Sequence, residues 1–345
     1  MMILMLWGSW IRDGWSQEHE HYFMTVSTLV ARPLGMGGAF TSVEDDLTAL
    51  LYNPASFALY QDYPARAGRL SVFLNPIAPI VALQQPEALF GRSRVTWEEA
   101  AAALGMLVKG VALSRGVFEL GAVFGEQAPQ PELFSKTRFF NAEGYLDNQY
   151  NVLAVRMRVA ERVALGGSLG LYYHHSKQYG RKWGMGTSYG VRVRPARHVA
   201  VGISYITFPQ MQPGYREALE RIVDGTVNLG VSVRSSFGTT VAADIRNLGD
   251  EKAATGELIR EAHFGVEQVL LSHLALRIGL FRKRHEDAED RYALSAGFGL
   301  VEGNRFWPPR RRFSHPSWVM NYGMVTEMVA DHRRFVHALA LMVRL

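Results

Sequence analysis

Four charged side chains in the C-terminal third of the chain stand where they could act together: Asp244, Arg246, Glu267 and Arg277. They fall on three consecutive predicted strands and share the parity of the glycines and serines there, so they face the same side of the sheet. Opposite charges on one buried face can pair into a network that holds another segment of the chain. Alternatively, the guanidinium of Arg246 or Arg277 could receive a ligand carboxylate through a bidentate contact. Both interpretations stay open from the sequence.

Motifs for catalysis or metal binding are not convincing in this sequence. The histidine pairs at 174–175 and 19–21 lack the spacing and supporting ligands of a zinc site. There is no phosphate-binding glycine loop and no local Ser/His/Asp arrangement. The chain has no cysteine, which excludes disulfides and thiolate metal sites. We therefore expect a protein that is not an enzyme and that carries no cofactor and no metal.

Alternating strands are the elements that must position the four charged side chains. In 183–193 the odd positions are mostly large and apolar, whereas the even positions are glycine, serine or arginine. The same alternation recurs in 199–207, 274–280 and 292–300, and it is typical of strands with one apolar face. The pattern predicts about fourteen strands, at 65–76, 105–113, 116–127, 145–159, 162–175, 183–194, 198–208, 225–235, 238–248, 257–270, 273–284, 291–302, 315–328 and 333–345.

The connections between these strands alternate in length. Those after even-numbered predicted strands are mostly tight, as at 114–115, 160–161 and 236–237, whereas those after odd-numbered strands tend to be longer. The segment 303–314 is an exception, because it is long where a short turn is expected. Transmembrane barrels have short periplasmic turns and longer outer loops. The sequence therefore predicts an all-β fold, a transmembrane antiparallel β-barrel.

Composition agrees with this fold class. Hydrophobic residues make up 48% of the 345 residues, yet the mean hydropathy is only −0.04. No apolar run reaches the roughly 18–20 residues of a membrane-spanning helix. The net charge is +5, and the basic residues are mostly dispersed, which argues against a nucleic-acid partner. Basic residues could instead contact anionic lipid headgroups. Residues 1–20 open on an apolar run without a preceding basic residue, and we interpret them as a leader or remnant signal segment.

A compact glycine-rich segment precedes the predicted strands. Gly35, Gly37 and Gly38 allow close approach of backbone to backbone. Asp45 or Asp46 can cap a short helix over 47–52, and Asn53-Pro54 ends it and begins a second helical piece over 55–59. Such an element before a barrel is interpreted as a plug of short helical turns. A further helix is predicted over 100–107 from the capping-box pattern at 96–99, and another over 215–223.

The pattern R-x-x-G-M-G-G-A-F-T, then D-D, then N-P-A, resembles the N-terminal hatch of FadL-like outer-membrane proteins, including their PorV-type branch. Segments 242–247, 265–267 and 276–279 and the last two strands are similar to the C-terminal half of PorV-type sequences. The resemblance implies a fourteen-stranded barrel over 65–345, blocked by a hatch within 21–64. Its hatch residues, which are structural, fall here on Gly35, Gly37, Gly38, Asn53, Pro54 and Ala55.

The resemblance also implies two functions that share one architecture. The first is an outer-membrane channel, gated by the hatch, for uptake of hydrophobic compounds such as long-chain fatty acids. The second is a PorV-like barrel that serves as an interaction subunit of a protein secretion machine. The expected partners are therefore a hydrophobic small molecule or fatty acid, outer-membrane lipid and, for the second function, secretion-system proteins. Both functions place the chain in the outer membrane, which it would cross many times.

Overall fold

The computed structural model describes thirteen stretches of the chain. These stretches are residues 21–25, 31–58, 65–76, 79, 96–126, 148–176, 180–207, 225–248, 260–271, 273–283, 291–301, 317–329 and 332–344. The predicted leader at 1–20 and the predicted helix at 215–223 lie outside them.

Fifteen β-strands account for most of the described residues. In chain order they are β1 (His21–Thr25), β2 (Ala65–Leu74), β3 (Val108–Gly116), β4 (Phe118–Glu126), β5 (Asn148–Ala160), β6 (Val163–Ser176), β7 (Gly180–Ala196), β8 (Val199–Thr207), β9 (Gly225–Arg234), β10 (Thr239–Arg246), β11 (Glu261–Leu270), β12 (Leu274–Lys283), β13 (Arg291–Val301), β14 (Ser317–Val329) and β15 (His332–Arg344).

Strands β2 to β15 form a closed antiparallel barrel. Each of them pairs with the next in chain order, and β15 pairs back onto β2, so the fourteen strands make one ring. This confirms the predicted all-β barrel and its strand number. Closure satisfies the backbone N–H and C=O groups that an open sheet would leave at its edges.

The first strand is an addition to the predicted set. The predicted hatch spans 21–64, but β1 lies in the sheet and pairs in parallel with residues 334–338 of β15. Strand β2 contacts β15 at only two register positions, Val343 and Arg344. The part of the β15 edge that β2 does not reach offers backbone groups, and β1 pairs with them. The seam of the barrel is therefore made by β1 and β2 together.

The wall has one apolar face and one small or polar face. On β12 the outward side chains of Leu276, Ile278 and Leu280 are 44%, 61% and 46% exposed, whereas Ala275 and Arg277 on the other face are buried. Tyr189 and Leu294, predicted to face outward, are both 57% exposed. The predicted parity of the strands is confirmed at these positions. The outer surface is apolar and the interior holds the charges and most of the glycines.

Tight turns gather at one end of the barrel, which we call the short-turn end. There β3 and β4 are joined by one residue, β5 and β6 by two, and β7 and β8 by two. The segment 302–316 at this end is long, as predicted. At the opposite end the long connections 127–147 and 208–224 fit the predicted asymmetry, although 177–179 and 330–331 are short. The asymmetry therefore holds as a tendency rather than at every connection.

Helices are few and short. One spans Trp97–Gly105, three residues earlier than predicted at its start, and its Ala100 N–H donates to the Thr96 carbonyl at 2.9 Å. Among the helices in the described stretches, none is long and apolar enough to cross a membrane.

Three further helical elements lie in residues 31–58, which we call the hatch segment. It contains an α-helix, Ala31–Gly35, and two 3-10 helices, Leu47–Leu51 and Pro54–Ser56. Asp46 caps the first 3-10 helix and Asn53 caps the second, so the predicted short helical turns are present.

Candidate functional site

The hatch segment folds back on itself through a few short-range hydrogen bonds. The Asn53 side chain accepts from the Ala55 N–H and donates to the Thr41 carbonyl, both at 2.9 Å. Asp45 exchanges backbone hydrogen bonds with the second 3-10 helix and with Ala58, at 3.2 and 2.7 Å. Gly37 and Gly38 have φ of 61° and 75°, a conformation that favours glycine, and they make the turn after the first helix. The segment is therefore a compact body rather than an extended strap.

Ten wall glycines surround this body. Each lies on a different strand, and at each of them an added Cβ would come within about 3 Å of a hatch atom. At Gly166 the added atom would overlap the backbone of Pro54, and at Gly279 it would overlap the backbone of Gly37. Only glycine lets the wall approach the hatch backbone so closely. The wall glycines are Gly110, Gly121, Gly166, Gly190, Gly202, Gly230, Gly265, Gly279, Gly297 and Gly323.

Asp244 on β10 holds the start of the hatch loop. Its Oδ2 accepts from the backbone N–H of Phe40 and of Thr41, both at 2.8 Å, and from the Thr41 hydroxyl at 2.7 Å. The residue is only 2% exposed. Three donors therefore converge on one buried carboxylate oxygen. Asp244 therefore acts as a receptor for the hatch backbone.

Arg32 of the hatch forms the centre of a buried ion network. Its Nε and Nη2 donate to the two oxygens of Glu267 at 2.9 and 2.7 Å, and its Nη1 lies 2.6 Å from Asp45. Arg277 Nε donates to the same carboxylate at 2.6 Å. Burial by itself would lower the pKa of Arg32, but the carboxylates of Asp45 and Glu267 raise it above its usual range. The guanidinium stays charged, and the network joins hatch to wall.

The glycine turn of the hatch is held by two further wall side chains. Arg246 Nη2 donates to the Gly38 carbonyl, and His263 Nδ1 donates to the Gly37 carbonyl at 2.6 Å. The Arg246 guanidinium also lies over the Tyr52 ring, 5.3 Å from its centroid. Burial raises the pKa of Tyr52. These contacts bind the turn that the positive-φ glycines create.

A second ion network lies on the opposite side of the hatch segment. Arg156 Nη2 lies 2.8 Å from Glu44, its Nη1 pairs with Glu119, and its Nε donates to the Ala55 carbonyl at 2.9 Å. Arg192 Nε donates to the Ser42 carbonyl at 3.0 Å, and its Nη1 lies 3.4 Å from Glu44.

Glu44 remains ionised in this setting. Burial would raise the pKa of the Glu44 carboxyl, but Arg192 and Arg156 lower it to about 2.

All four charged residues that the sequence predicts to act together lie against the hatch or its network. Asp244 and Arg246 contact the hatch directly, Glu267 binds Arg32, and Arg277 supports Glu267. Within the described residues the Nη1 and Nη2 atoms of Arg277 have no hydrogen-bond partner, so they still suit the carboxylate-binding interpretation.

The second network was missed. Arg156, Arg192 and Glu119 share the inward parity of the wall glycines, and that parity was the signal that could have found them. In the described part of the chain no group of three or more His, Asp or Glu side chains is arranged to hold a metal ion. His19 lies outside the described stretches.

Comparison with known proteins gives likenesses of fold. No protein-family model matches the chain, and no curated protein sequence matches it. Among solved structures it is similar to the CymD monoaromatic hydrocarbon channel, with 13% identity, a TM-score of 0.47 and coverage of 92% of this chain and 96% of that one. It is similar to the Pseudomonas putida toluene transporter TodX, with 12% identity, a TM-score of 0.47 and coverage of 94% and 98%.

A third similar structure is the Ralstonia pickettii toluene transporter TbuX, with 12% identity, a TM-score of 0.46 and coverage of 93% of this chain and 98% of that one. These values are low. The assignment of a closed fourteen-stranded antiparallel barrel therefore rests on the strand pairing of the chain itself.

Proposed function

We propose that this protein is a FadL-like outer-membrane channel for uptake of hydrophobic compounds such as long-chain fatty acids, gated by the hatch segment. One observation carries the proposal: a compact body, separate from the wall in sequence, sits inside the ring of wall glycines and is held there by side chains. A barrel with a purely structural role would not need an interior that fits a separate hatch segment so closely.

The outer surface supports placement in a membrane. Large apolar side chains on the outward faces of their strands are between 47% and 61% exposed, among them Leu153, Ile203, Phe264, Ile278 and Leu294. An apolar surface of this kind is stable next to lipid. By the usual arrangement of outer-membrane barrels, the short-turn end would face the periplasm.

The contacts of the hatch segment suggest how it could move. On the side of β2 to β5 it packs through apolar side chains, with Leu47, Leu50 and Phe57 against Phe73 and Val123. The Arg156 ion network adds polar contacts at the edge of this side. Toward β7 to β12 the hatch contacts are mainly hydrogen bonds and ion pairs to carbonyls and carboxylates. Polar contacts can be exchanged for water one at a time, whereas apolar packing resists separation. We expect the apolar side to act as the hinge and the polar side to open.

The channel proposal is tested by replacing residues 31–58 with a flexible glycine-serine linker. The variant should still fold, shown by a gel mobility that changes on boiling, and should conduct ions in planar bilayers where the intact chain does not. Matching conductance of the two proteins would show that the hatch segment does not block the pore.

Extraction in mild detergent followed by mass spectrometry tests the ligand class: a bound hydrophobic compound supports uptake. A stoichiometric protein partner without a lipid would favour the secretion-machine subunit instead.

A further inference from the structure

A cavity of about 310 Å³ lies between the hatch segment and the short-turn end of the barrel. Val43 and Glu44 of the hatch form one boundary, and the β7–β8 and β9–β10 turns form the other. The intervening wall carries small side chains, Ala200 and Ser232, and these leave the space open. The cavity is therefore a chamber under the hatch and is separate from the wall glycines that grip it.

Arginines dominate the lining of this chamber. Arg192, Arg194, Arg197 and Arg234 all face it, together with one carboxylate, Glu44. That carboxylate is already paired, at 2.8 Å with Arg156 and at 3.4 Å with Arg192. The chamber thus has an excess of positive charge that its own acidic residue does not neutralise. Like charges gathered in a concave, partly desolvated space raise the local potential and attract anions.

Three of these arginines have donors to spare. Arg194 Nη2 donates to the Glu161 backbone carbonyl at 3.1 Å, which satisfies a hydrogen bond but leaves the charge unbalanced. Among the described residues, the guanidinium groups of Arg197 and Arg234 make no hydrogen bond or ion pair within the chain. A guanidinium presents its N–H groups in a planar fork that matches the oxygens of a carboxylate or phosphate. The chamber therefore offers the donor geometry that an oxyanion requires.

We propose that this chamber is a binding site for an oxyanion, a carboxylate or a phosphate group, held by Arg194, Arg197 and Arg234. The anion either belongs to an amphipathic acid passing the hatch or is a free inorganic anion from the short-turn side. Glu44 sets the depth of the site, because its negative charge repels the ligand from the hatch. The amphipathic-acid source rests on the proposed uptake function, whereas the free-anion source does not. Failure of the site would leave the conductance test of the hatch unaffected.

The test uses the full chain in detergent at constant ionic strength. Phenylglyoxal, which modifies arginine side chains, is added with and without inorganic phosphate, octanoate or octanol, and modification is located by peptide mass spectrometry. At a phosphate concentration about tenfold above half-saturation, modification of Arg194, Arg197 and Arg234 should slow by about tenfold, as mass action requires. Arg115 is the internal control, because it lies exposed at the same end on the outward parity of β3.

The outcomes separate the two sources of the anion. Protection by phosphate alone identifies a free-anion site, and protection by octanoate identifies a carboxylate headgroup site; either supports the proposal. Equal protection by octanol, equal protection of Arg115, or no protection by any anion would overturn it.

Calorimetry with phosphate provides a second measurement: the Arg194→Gln/Arg234→Gln double variant should bind phosphate at least about tenfold more weakly, whereas Arg115→Gln should bind like the parent. Unchanged binding in the double variant would also overturn the proposal.

Discussion

The guanidinium of Arg32 and the carboxylate of Glu267 form a two-point contact, with Nε 2.9 Å from Oε2 and Nη2 2.7 Å from Oε1, although the residues are 235 positions apart in the chain. Arg32 is 5% exposed, and Glu267 is fully buried. A bidentate pair of this kind fixes both distance and orientation. It sets where the hatch segment sits against β11.

Glu267→Gln should loosen the hatch. The substitution leaves the Arg32 and Arg277 guanidinium groups buried without their shared anion, and removing one partner of a buried pair costs about 3–5 kcal/mol. We expect more frequent channel openings in planar bilayers and a lower midpoint of thermal unfolding. Glu161→Gln makes the same chemical change in an exposed turn and should leave both unchanged. Identical conductance of the Glu267→Gln protein and the parent would show that the pair does not hold the hatch.

Substitution by alanine should affect the hatch at one of two neighbouring glycines on β6 and not at the other. A methyl group at Gly166 would collide with the backbone of Pro54, whereas at Gly167 the nearest atom is 3.9 Å away. Overpacking of this kind costs about 1–3 kcal/mol, so Gly166→Ala should displace the hatch and raise conductance. Gly167→Ala should be neutral or slightly stabilising, since alanine limits the unfolded chain more than glycine does. Equal effects at both positions would contradict the tight fit of wall and hatch.

The lipid-facing surface can be probed by charge. Ile278 is 61% exposed at the middle of β12, and Ile278→Arg should lower the free energy of unfolding by about 2–4 kcal/mol if this position lies near the bilayer midplane. Leu271→Arg adds the same charge in a turn, where the side chain is 89% exposed, and should cost little. Denaturant titration of refolding into lipid vesicles measures both. Equal losses would mean that the two positions meet the same solvent.

Acid should release the hatch on the Glu44 side. The folded-state pKa of Glu44 is about 2, below the ordinary 4.5, so its contribution is fully present above pH 4.5 and is lost as the pH falls toward 2. We expect conductance to rise over that interval. Because the hatch is held by other side chains as well, the diagnostic quantity is the difference between the parent and Glu44→Gln. At pH 6 the Glu44→Gln variant should conduct more than the parent, and its conductance should rise less in acid. The same pH profile in both proteins would show that Glu44 does not hold the hatch.

Much of the wall was predictable because strand alternation is a local property. The outward positions of Tyr189 and Leu294 follow from a period of two, and no knowledge of distant partners is needed. The caps at Asp46 and Asn53 were predictable for the same reason, since a cap side chain binds a backbone group two residues away.

The remainder depends on contacts that the sequence does not encode locally. Strand β1 has five residues, and its partner β15 lies more than 300 positions away, so neither length nor periodicity revealed it. The inward parity of Arg156 and Arg192 can be read from the sequence. Their pairing with Glu44 depends on how the hatch is rotated within the barrel, which the sequence does not show. That rotation follows from the whole ring of wall glycines.

The parallel pairing of β1 with β15 has a consequence for assembly. The earliest described strand and the last one are neighbours, so the sheet is incomplete until nearly the whole chain is available. The hatch segment directly follows β1 and contacts strands around the whole ring, and those contacts exist only once the wall has curled around it. The barrel therefore closes around a hatch segment that is already inside it. Such long-range closure makes folding slow, and it makes the final step of folding the same event that seals the pore.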